Sequence, residues 1–368
     1  MFTRKKLVRV VVAMSGGVDS SVAAALLKQK GYEVIGITMC FNLIDSLGKK
    51  PNCCGLQGIE DARRVAHKLG IKHYVVNMQK TLQDKVIKDF CTEYASARTP
   101  NPCVRCNQYV KFGALLDKAL SLDAKYLATG HFASIGKLYP GKKNPAAFVL
   151  KKAKDKKKDQ SYFLYRLNQR QLKHIIFPLE KFTKQEVRNI ARDFNLPVAD
   201  KKESQEICFV PGMDYRAFLK KNFSSKSNEF KCAEIVDKNN KVVGEHKGIA
   251  FYTIGQREGI GVALGYPAYV TEINKFSNRI TLGPKEDCLR KEFLVNDLHF
   301  AFKPIKNEIV LKVKIRYNHK EAAALIKPYS GKLKVCFKKA QFAITPGQSA
   351  VFYNRDKVIG GGIIDEVL

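Results

Sequence analysis

The sequence predicts an α/β protein in which an N-terminal doubly wound parallel sheet is followed by a small mainly-β central domain and a C-terminal β-barrel. Three observations predict this architecture. Strands and helices alternate through the first half of the chain, as in parallel sheets covered by helices on both faces. The first strand ends in a turn of small residues that opens directly into a helix. After Cys208 the helices become sparse, and short strands follow one another to the C-terminus.

The predicted domain boundaries follow the same changes in pattern. We expect the sheet domain over residues 1–212, the small central domain over 213–284 and the barrel domain over 285–368. A length of 368 residues is typical of two or three domains, and a hydrophobic fraction of 45% is sufficient for their cores.

In the first half, apolar β-branched runs predict the strands, and longer apolar stripes predict the helices between them. The strands are expected at Leu7–Ala13, Tyr32–Phe41, Lys72–Met78 and Ala124–Gly130. The helices are expected at Val22–Lys30, Ile59–Leu69, Leu82–Ala97 and Val110–Ser121. A later helix, Thr183–Phe194, begins with Thr183 and Glu186 in the spacing of a capping box.

In the second half, turn residues and short apolar runs predict antiparallel strands. Residues Phe230–Val243 are typical of a hairpin with Asn239 and Asn240 at its turn. The last strands predict a small barrel and are expected at Glu308–Tyr317, Lys332–Phe337, Ser349–Asn354 and Lys357–Ile364.

The chain carries a formal net charge of +31, from 65 Lys and Arg against 34 Asp and Glu. So large an imbalance is self-repelling unless a polyanion neutralises it. Nucleic acid is therefore the first expected partner and an anionic membrane surface the second. A lysine-rich genome is the alternative origin of part of this excess.

No apolar stretch approaches the ~20 residues that a membrane span needs. Residues Met1–Lys6 lead directly into the first strand and leave no room for a signal or transit peptide. We therefore expect a cytoplasmic protein without a membrane anchor, which is a monomer when free of its partners.

The chain contains ten cysteines, and at this length without a signal sequence they do not indicate a disulfide scaffold. We expect most of them to act as buried small apolar residues. No role is assigned to the cysteines in ordinary strand, helix or loop patterns, which are Cys40, Cys53, Cys54, Cys91, Cys232, Cys288 and Cys336.

The turn after the first strand, Met14–Ser21, has the composition of an anion-binding loop. A strand, a small-residue turn and a helix together direct backbone N–H groups at a negative charge. Gly16 and Gly17 permit close approach and positive φ, and neighbouring serines add hydroxyl donors. The loop lacks the Walker lysine and is not G-x-G-x-x-G, so a dinucleotide fingerprint is not expected. An ordinary glycine turn is the alternative.

A second candidate site lies at residues 99–107. Pro100 and Pro102 predict a rigid, non-helical loop that contains Cys103 and Cys106 in C-x-x-C spacing. This spacing suits a shared metal or a redox pair. Zinc sites usually need a second such pair, and the sequence has no other C-x-x-C.

The charges near these cysteines are positive. Arg105 and Lys111 should favour the thiolate form of the pair. A third cysteine, Cys208, follows the polar and basic segment 201–206. A lone cysteine in an apolar stretch is usually a core residue, but this flank favours a functional role.

Residues Lys151–Lys158 form a lysine run that leads into Asp159 and Gln160. A solvated loop is one interpretation of such a run. In a chain this basic, a loop that contacts phosphates is the other.

The segment from Ser15 to Ser20, Ser-Gly-Gly-Val-Asp-Ser, resembles the pyrophosphate loop of the N-type ATP pyrophosphatases, which cleave ATP between the α- and β-phosphates. With the motifs downstream, the chain resembles the tRNA-specific 2-thiouridylases over essentially its whole length. Those motifs are Thr-Pro-Asn-Pro at 99–102, Cys-Asn at 106–107, Thr-Gly-His at 129–131, Lys-Asp-Gln-Ser-Tyr-Phe-Leu at 158–164, Ile-Cys-Phe at 207–209, Gly-Gln-Arg at 255–257, Arg-Tyr at 316–317 and Thr-Pro-Gly-Gln-Ser-Ala-Val-Phe-Tyr at 345–353. Their joint order makes the resemblance specific.

The resemblance implies a PP-loop ATPase domain of the adenine nucleotide α-hydrolase type and a specific reaction. That family replaces the C2 oxygen of the wobble uridine in tRNAs for Lys, Glu and Gln by sulfur. ATP converts this oxygen to an O-adenylate, pyrophosphate leaves, and a sulfur nucleophile attacks C2 as AMP departs. The implied cofactors are ATP and Mg²⁺, and the implied partners are tRNA and a sulfur-donor protein or inorganic sulfide.

The resemblance also implies site residues. ATP is expected to contact Ala13, Met14, Ser15, Gly16, Gly17, Val18, Asp19, Ser20, Met39 and Gly130, with Asp19 near Mg²⁺. The tRNA is expected to contact Asn101, Pro102, Cys103, His131, Lys158, Asp159, Gln160, Arg316, Tyr317 and Gln348. Cys106 matches the nucleophilic cysteine and Cys208 the persulfide carrier, so a reversible disulfide between them is implied. A stacked anticodon base must be extruded to react in such a site.

Cys103 departs from the family pattern, in which aspartate is common at this position. Cys103, Cys106 and Cys208 form a three-thiol set, which is what a [4Fe–4S] cluster with one open iron would need. The open iron would hold hydrosulfide or a persulfide sulfur. The cluster and the persulfide relay are thus alternative hypotheses.

Two other classes of function remain open. An amidating synthetase for a small molecule would share the glycine loop but has no use for the charge of +31 or the three cysteines. A basic nucleic-acid-binding protein with a vestigial nucleotide loop would not be an enzyme. ATP–pyrophosphate exchange separates the three: it requires tRNA in a thiolating enzyme, requires only a small acceptor in a synthetase, and is absent from a binding module.

Overall fold

The computed structural model describes residues 7–41, 56–138, 147–202, 208–210, 215–222 and 228–368. Cys53, Cys54 and residues 203–207 of the segment around Cys208 lie outside these residues. The chain divides into two compact units. The first comprises residues 1–86, 103–214 and 356–358, and the second comprises 87–102, 215–355 and 359–368.

The first unit is built on a parallel sheet, as predicted. Its strands are β1 (Arg9–Ala13), β2 (Glu33–Cys40), β3 (Lys72–Asn77), β4 (Tyr126–Ala128) and β7 (Ile175–Ile176). Their order is β3-β2-β1-β4-β7, and these pairings are parallel. The strand order reverses between β1 and β4, which makes the carboxyl edge there the expected ligand position. Strands β5 (Ser134–Leu138) and β6 (Ala147–Lys151) form an antiparallel hairpin in the same unit.

Helices cover the sheet and connect its strands. Up to residue 202 the helices of the chain are α1 (Val18–Gln29), α2 (Leu56–Leu69), α3 (Gln79–Leu82), α4 (Lys88–Ala95), α5 (Pro102–Arg105), α6 (Leu115–Ser121), α7 (Ser161–Leu164), α8 (Gln169–Lys173) and α9 (Lys184–Asp193). Of these, α4 belongs to the second unit. Two π-helical segments, Gln83–Ile87 and Cys106–Ala114, follow α3 and α5. The predicted helix at 82–97 is therefore interrupted.

One apolar core holds the first unit together. Val10 and Val12 of β1 pack in the same cluster as Val22 of α1 and as Val187 and Ala191 of α9. All five side chains are fully buried. Because both ends of the glycine-rich turn are anchored in this core, the turn has a fixed position at the edge of the sheet.

The prediction of a non-helical loop through residue 107 is wrong. Helix α5 begins at Pro102 and continues into the π-helical segment that starts at Cys106. Proline is favoured at the first position of a helix, because its missing N–H would have no partner there and its φ is already helical. Cys103 and Cys106 are consequently one helical turn apart, on the same face.

The second unit begins, after its segment 87–102, with α10 (Tyr215–Asn222) and a four-stranded sheet. The strands are β8 (Ala233–Asp237), β9 (Val242–His246), β10 (Tyr269–Asn274) and β11 (Arg279–Gly283), in the order β10-β11-β8-β9. The predicted hairpin is confirmed as β8 and β9, with Asn240 at a φ of +61° in its turn.

The C-terminal barrel is also confirmed. Its strands are β12 (Leu289–His299), β13 (Ile309–Lys314), β14 (Ala322–Tyr329), β15 (Lys332–Phe342), β16 (Ser349–Asn354) and β17 (Lys357–Val367). The order is β12-β15-β14-β13-β16-β17, and pairing of β12 with β17 closes the barrel. Its core includes Phe293, Val335, Phe337 and Phe352. Within the described ranges, no helix has the length and apolar character needed to cross a membrane.

Candidate nucleotide and thiol site

The glycine-rich turn lies at the carboxyl end of β1, where the strand order reverses. Gly17 is the N-cap of α1, and Asp19 lies in the first turn of that helix. The first N–H groups of a helix have no partner within the helix, so they are available to an anion at this edge. The turn is therefore placed where a phosphate group would be bound.

Hydrogen bonds inside the turn hold its shape. Ser20 Oγ accepts from the Ser15 N–H at 3.1 Å and donates to the Gly17 carbonyl at 3.2 Å. Ser21 Oγ donates to the same carbonyl at 2.8 Å. The hydroxyls of Ser20 and Ser21 therefore stabilise the backbone conformation of the turn. From the sequence alone, this role could not be distinguished from direct binding of a ligand.

Two glycines bring other backbone segments against the turn. Gly16 has a φ of +72°, and a Cβ on it would lie 2.2 Å from the Gly58 carbonyl oxygen. A Cβ on Gly130 would lie 2.6 Å from backbone atoms of Asp19 and Ser20. Only glycine permits either approach. The Thr-Gly-His segment after β4 therefore borders the turn.

Met39, a second predicted adenosine contact, is half-buried near the carboxyl end of β2. Ala13 is the last residue of the neighbouring strand β1. Both strands are parallel and paired, so these residues lie on the same edge of the sheet as the turn. The structure thus groups the predicted nucleotide residues at one edge.

Two lysines from the C-terminal part of the first unit reach the turn. Lys184 Nζ lies 2.6 Å from Asp19 Oδ1. Lys201 Nζ lies 3.0 Å from the Gly16 carbonyl oxygen and 2.5 Å from Asp61 Oδ2. Neither lysine was predicted as a site residue from the sequence. The predicted capping box placed Lys184 at the start of α9. The neighbouring sequence did not indicate that its side chain contacts Asp19.

Asp61 is an almost fully buried carboxylate beside the turn, with a side chain 4% exposed. Burial acts to raise its pKa. Hydrogen bonds from Lys201, Arg64 and Gln57 outweigh that effect and hold the pKa of Asp61 below its ordinary value. Asp61 is therefore ionised at neutral pH and ties α2 to Lys201.

The three predicted thiols are neighbours within the first unit. Cys106 is buried, Cys103 is exposed and Cys208 is half-buried. They lie close enough for Cys208 to raise the pKa of the other two thiols. The eight cysteines in the described residues are not in disulfides, so the implied Cys106–Cys208 disulfide is not present in this structure.

The expectation that nearby cations favour a thiolate is wrong for this state of the protein. Burial raises the pKa of Cys106 to about 12, and the charge of Lys111 offsets only part of this effect. Desolvation by the surrounding atoms is the larger cause, and the charge of Cys208 the smaller one, that raise the pKa of Cys103 to about 11. Because Cys103 is exposed, water moderates the effect on its thiol.

Three thiols have the right chemistry for an iron–sulfur cluster. Their placement does not fit one, because the described residues contain no group of three or more His, Cys, Asp or Glu side chains arranged to hold a metal ion. The structure therefore gives no support to the cluster hypothesis.

His131 follows Gly130 and is half-buried among aromatic rings. Its ring lies 5.7 Å from that of Phe112 and 6.2 Å from that of Phe177, and its Nδ1 lies 2.6 Å from Thr129 Oγ1. Burial, assisted by the charge of Lys111, lowers the pKa of His131 well below its ordinary value. His131 is therefore a neutral hydrogen-bonding group at physiological pH.

The segment 158–160 packs against the same region. Asp159 is buried, and its carboxylate accepts from the Ala153 N–H at 3.0 Å and from the Ser161 hydroxyl at 2.8 Å. Gln160 Oε1 accepts from the Phe132 N–H at 3.0 Å. These two side chains fold the segment, while Lys158 is partly exposed. A tRNA contact at the three positions stays a prediction.

The other predicted tRNA residues belong to the second unit. Gln348 Nε2 donates to the carbonyl oxygens of Thr99 and Pro100, at 3.0 and 3.1 Å. These bonds hold the extended segment that leads to Asn101 and Pro102. Gln348 thereby positions the residues that are predicted to touch the target base.

Arg316 also has an internal role in the second unit. It donates to the Ile254 carbonyl oxygen at 2.9 Å and to the Thr345 hydroxyl. The adjacent Tyr317 ring lies 5.3 Å from Lys314 Nζ. Arg316 thus connects the central sheet region to the barrel within this unit, and its contact with tRNA stays a prediction.

Three family models match consecutive parts of the chain. They are the tRNA methyl transferase HUP domain over residues 8–212, the tRNA methyl transferase PRC-barrel domain over 216–284 and the aminomethyltransferase beta-barrel domain over 290–364. The chain is 48% identical to the tRNA-specific 2-thiouridylase MnmA of Halothermothrix orenii, over 97% of this chain and 99% of that protein. It is 50% identical to the tRNA-specific 2-thiouridylase MnmA 1 of Caldanaerobacter subterraneus, over 97% and 98% of the two chains.

Proposed function

The chain belongs to the tRNA-specific 2-thiouridylase family, and from this membership we propose that it replaces the C2 oxygen of the wobble uridine of tRNA by sulfur in an ATP-dependent reaction. The observation that carries the proposal is the 48% identity, over 97% of this chain, to a protein named for that activity. The glycine-rich turn and the three neighbouring thiols of the first unit supply the two chemical requirements, a nucleotide site and a sulfur nucleophile.

The first step in this proposal is activation of the carbonyl oxygen. ATP lies with its phosphates over residues 13–20, its adenosine against Met39 and Gly130, and Mg²⁺ beside Asp19. The C2 oxygen of the uridine attacks the α-phosphorus, and pyrophosphate leaves. In the resulting O-adenylate, AMP is a far better leaving group from C2 than the original carbonyl oxygen. The position of the turn at the N-terminus of α1 supports this placement of the phosphates.

The second step is sulfur transfer. The terminal sulfur of a persulfide on Cys208 attacks C2, and AMP leaves. Cys106 then attacks the Cys208 sulfur of the resulting adduct, which releases 2-thiouridine and leaves a Cys106–Cys208 disulfide for external reduction. The influence of Cys208 on the pKa of Cys106 supports this pairing, because it requires the two thiols to be neighbours.

A cluster on Cys103, Cys106 and Cys208 is the alternative sulfur carrier that the sequence left open, although the placement of the three thiols does not fit one. Anaerobic purification followed by iron and sulfide analysis distinguishes the two. Full thiolation activity from iron-free protein supports the persulfide relay, whereas activity in proportion to bound iron contradicts it.

The proposed function is tested by in vitro thiolation with tRNA, Mg·ATP and a sulfane-sulfur donor such as polysulfide, which can load Cys208 with a persulfide without an added oxidant. The product is read by mass analysis of the wobble nucleoside. Cys106→Ser should abolish thiolation and leave tRNA affinity nearly intact, because one thiol adds little to a phosphate-dominated interface. Cys232→Ser, at an exposed cysteine with no proposed role, is the matched control. Thiolation by Cys106→Ser, or a large loss of its tRNA affinity, would contradict the assigned role.

A further inference from the structure

We propose that Cys103 is a resolving thiol for the sulfur-transfer reaction, which takes Cys106 out of the Cys106–Cys208 disulfide and returns Cys208 as a free thiol. This inference rests on the proposed function, because that disulfide is a product of the proposed transfer. Cys103 is thereby a catalytic residue of the regeneration step, a role distinct from the tRNA contact expected at its position.

The need for such a thiol follows from the burial of the two cysteines that carry out the transfer. Cys106 is only 6% exposed, and Cys208 is half-buried. A reductant in solution must reach a sulfur atom of the disulfide, so enclosure of both sulfurs slows direct reduction. A new sulfur cannot be loaded until Cys208 is a free thiol again. The enzyme therefore needs an accessible route to this disulfide.

Cys103 is placed to provide that route. It is exposed, and it precedes Cys106 by three residues in helix α5 and the π-helical segment that continues it. Arg105, between them, has helical dihedral angles, with φ −63° and ψ −42°. Residues three apart in a helix have Cα atoms about 5 Å apart, from the radius and rise of the helix. This separation lies inside the range of about 4.4–6.8 Å that disulfides span.

The inner member of this pair is held in place by packing. Its π-helical segment also buries Val110 and Phe112, and Asn107 Nδ2 donates to the Phe163 carbonyl oxygen at 3.1 Å. Cys103, in contrast, occupies the second position of α5, where N–H groups make no hydrogen bonds within the helix. The backbone adjusts more readily there than in a helix interior. Closure of the disulfide is therefore expected to move the exposed thiol towards the buried one.

The proposed exchange conserves atoms and electrons. The Cys103 thiolate attacks the sulfur of Cys106, the Cys106–Cys208 bond breaks, and Cys208 leaves as a thiolate that takes up the proton lost by Cys103. The product is a Cys103–Cys106 disulfide, so this step consumes no oxidant or reductant. A dithiol reductant from solution then attacks the exposed sulfur of Cys103. The dithiol is oxidised to a disulfide, and Cys103 and Cys106 return to thiols.

The oxidised state favours attack by Cys103. Burial is the larger cause of the raised pKa of Cys103, and the negative charge of Cys208 is the smaller one. In the Cys106–Cys208 disulfide neither sulfur carries a charge, so the second cause is absent and the pKa of Cys103 falls. More of Cys103 is then present as thiolate, which is the nucleophilic form.

The first experiment maps disulfides after one turnover of the full-length protein. Cys208 is loaded with polysulfide, the excess is removed, tRNA and Mg·ATP are added, and free thiols are then blocked with N-ethylmaleimide. Trypsin places the three cysteines in different peptides, which are 99–105, 106–111 and 203–216. Per mole of 2-thiouridine formed, the Cys103–Cys106 disulfide should predominate in the unchanged protein, and the Cys106–Cys208 disulfide in Cys103→Ser.

The second measurement is the rate at which free Cys208 returns when dithiothreitol is added. Cys103→Ser should slow this return by about tenfold or more, because the reductant must then reach an enclosed sulfur. Cys232→Ser, at another exposed cysteine, is the matched control and should behave like the unchanged protein.

Oxidation with one equivalent of diamide, without tRNA or ATP, tests the exchange separately from thiolation. At equilibrium the unchanged protein should hold the Cys103–Cys106 disulfide, because one helical segment holds both residues, and Cys103→Ser should hold the Cys106–Cys208 disulfide. A predominant Cys106–Cys208 disulfide in the unchanged protein, after turnover or after diamide, would overturn the inference. Equal rates of Cys208 recovery with and without Cys103 would also overturn it. The expected disulfides after diamide, without any thiolation of tRNA, would support the exchange and contradict the proposed function.

Discussion

At Cys106, burial and charge act in opposite directions, and burial dominates. The positive neighbours visible in the sequence predicted a thiolate, whereas the structure raises the pKa of Cys106 to about 12. A buried neutral thiol is a poor nucleophile, so the site is chemically quiet in this state. In the proposed reaction, Cys106 therefore gains its reactivity only once substrate binding changes its surroundings.

This assignment predicts the order of alkylation by iodoacetamide. Cys103 should react before Cys106 because it is exposed, and the rate at Cys106 should keep rising through pH 9, by about tenfold per pH unit below the pKa. Trypsin cleaves after Arg105, so the two thiols fall in separate peptides that mass spectrometry quantifies independently. A plateau in Cys106 labelling near pH 8 would show that its pKa is not raised.

Asp61 gives a prediction for stability against pH. Its folded pKa is below its unfolded value, so its ionised form stabilises the fold above the unfolded pKa, and this contribution is lost as pH falls through the folded pKa. Asp61→Asn should cost about 2 kcal/mol at pH 7, less than for a fully enclosed pair because Lys201 is partly exposed. The difference should shrink below about pH 4. Urea unfolding of both proteins at several pH values checks this, and an equal difference at pH 3 and pH 7 would contradict it.

At the scale of elements, the position of Pro102 at the start of a helix changes the predicted structure of the C-x-x-C segment. Pro100 and Pro102 are both unfavourable in the interior of a helix, and the sequence therefore predicted one non-helical loop for both. Pro102 instead starts α5, because the first position of a helix tolerates proline. The helix, continued by its π-helical segment, places Cys103 and Cys106 on a defined face beside Cys208.

The turn after β1 is the element on which nucleotide binding should depend. Gly16→Ala would force a Cβ to within 2.2 Å of the Gly58 carbonyl oxygen at a φ of +72°. We expect it to destabilise the fold by about 2 kcal/mol or more and to abolish Mg·ATP binding. Thermal unfolding and equilibrium binding measure the two effects.

The control for that substitution is Gly31→Ala. Gly31 has a φ of +80°, but a Cβ there meets nothing within 4 Å. It should show the backbone strain alone, about 1 kcal/mol, with ATP binding retained. Equal loss of ATP binding in the two variants would mean that close packing at Gly16 is not the cause.

For the whole molecule, the net charge of +31 is the property most directly related to a tRNA substrate. Charge of this size favours association with a polyanion at long range and makes binding dependent on salt. Lys156 and Lys157 are exposed, and Lys158 is partly exposed beside the folded 159–160 segment. The exposed side chains of Lys156 and Lys157 are therefore accessible to phosphates.

Reversal of all three lysines at 156–158 to Glu should weaken tRNA binding and reduce the salt slope, because up to about three phosphate contacts are lost. Reversal of Lys291, Lys338 and Lys339, exposed lysines of the barrel, gives the same change in net charge. Filter binding at several salt concentrations compares the two sets. An equal effect of both sets would assign the loss to net charge, and an unchanged slope would make the run 151–158 a solvated loop.

The local sequence pattern was sufficient to predict much of the secondary structure and the type of sheet. The β-branched run before Met14, the small turn and the helix after it predicted the strand–loop–helix unit, and the alternation beyond it predicted the parallel sheet. The capping box at Thr183 and the hairpin turn at Asn240 were equally local. The predictions missed β12 and β14, whose runs mix apolar with charged or small residues.

The features that the sequence did not predict depend on contacts between residues that are far apart in the chain. Lys184 and Asp19 are 165 residues apart in the chain, and Lys201 and Asp61 are 140 apart, so no local pattern could pair them. The raised pKa of Cys106 likewise depends on atoms packed around it from other elements. Turn chemistry and hydrophobic periodicity are properties of neighbouring residues and can be read along the chain. Burial and ion pairing depend on which distant residues the fold brings together, and they determine the protonation and charge of this candidate site.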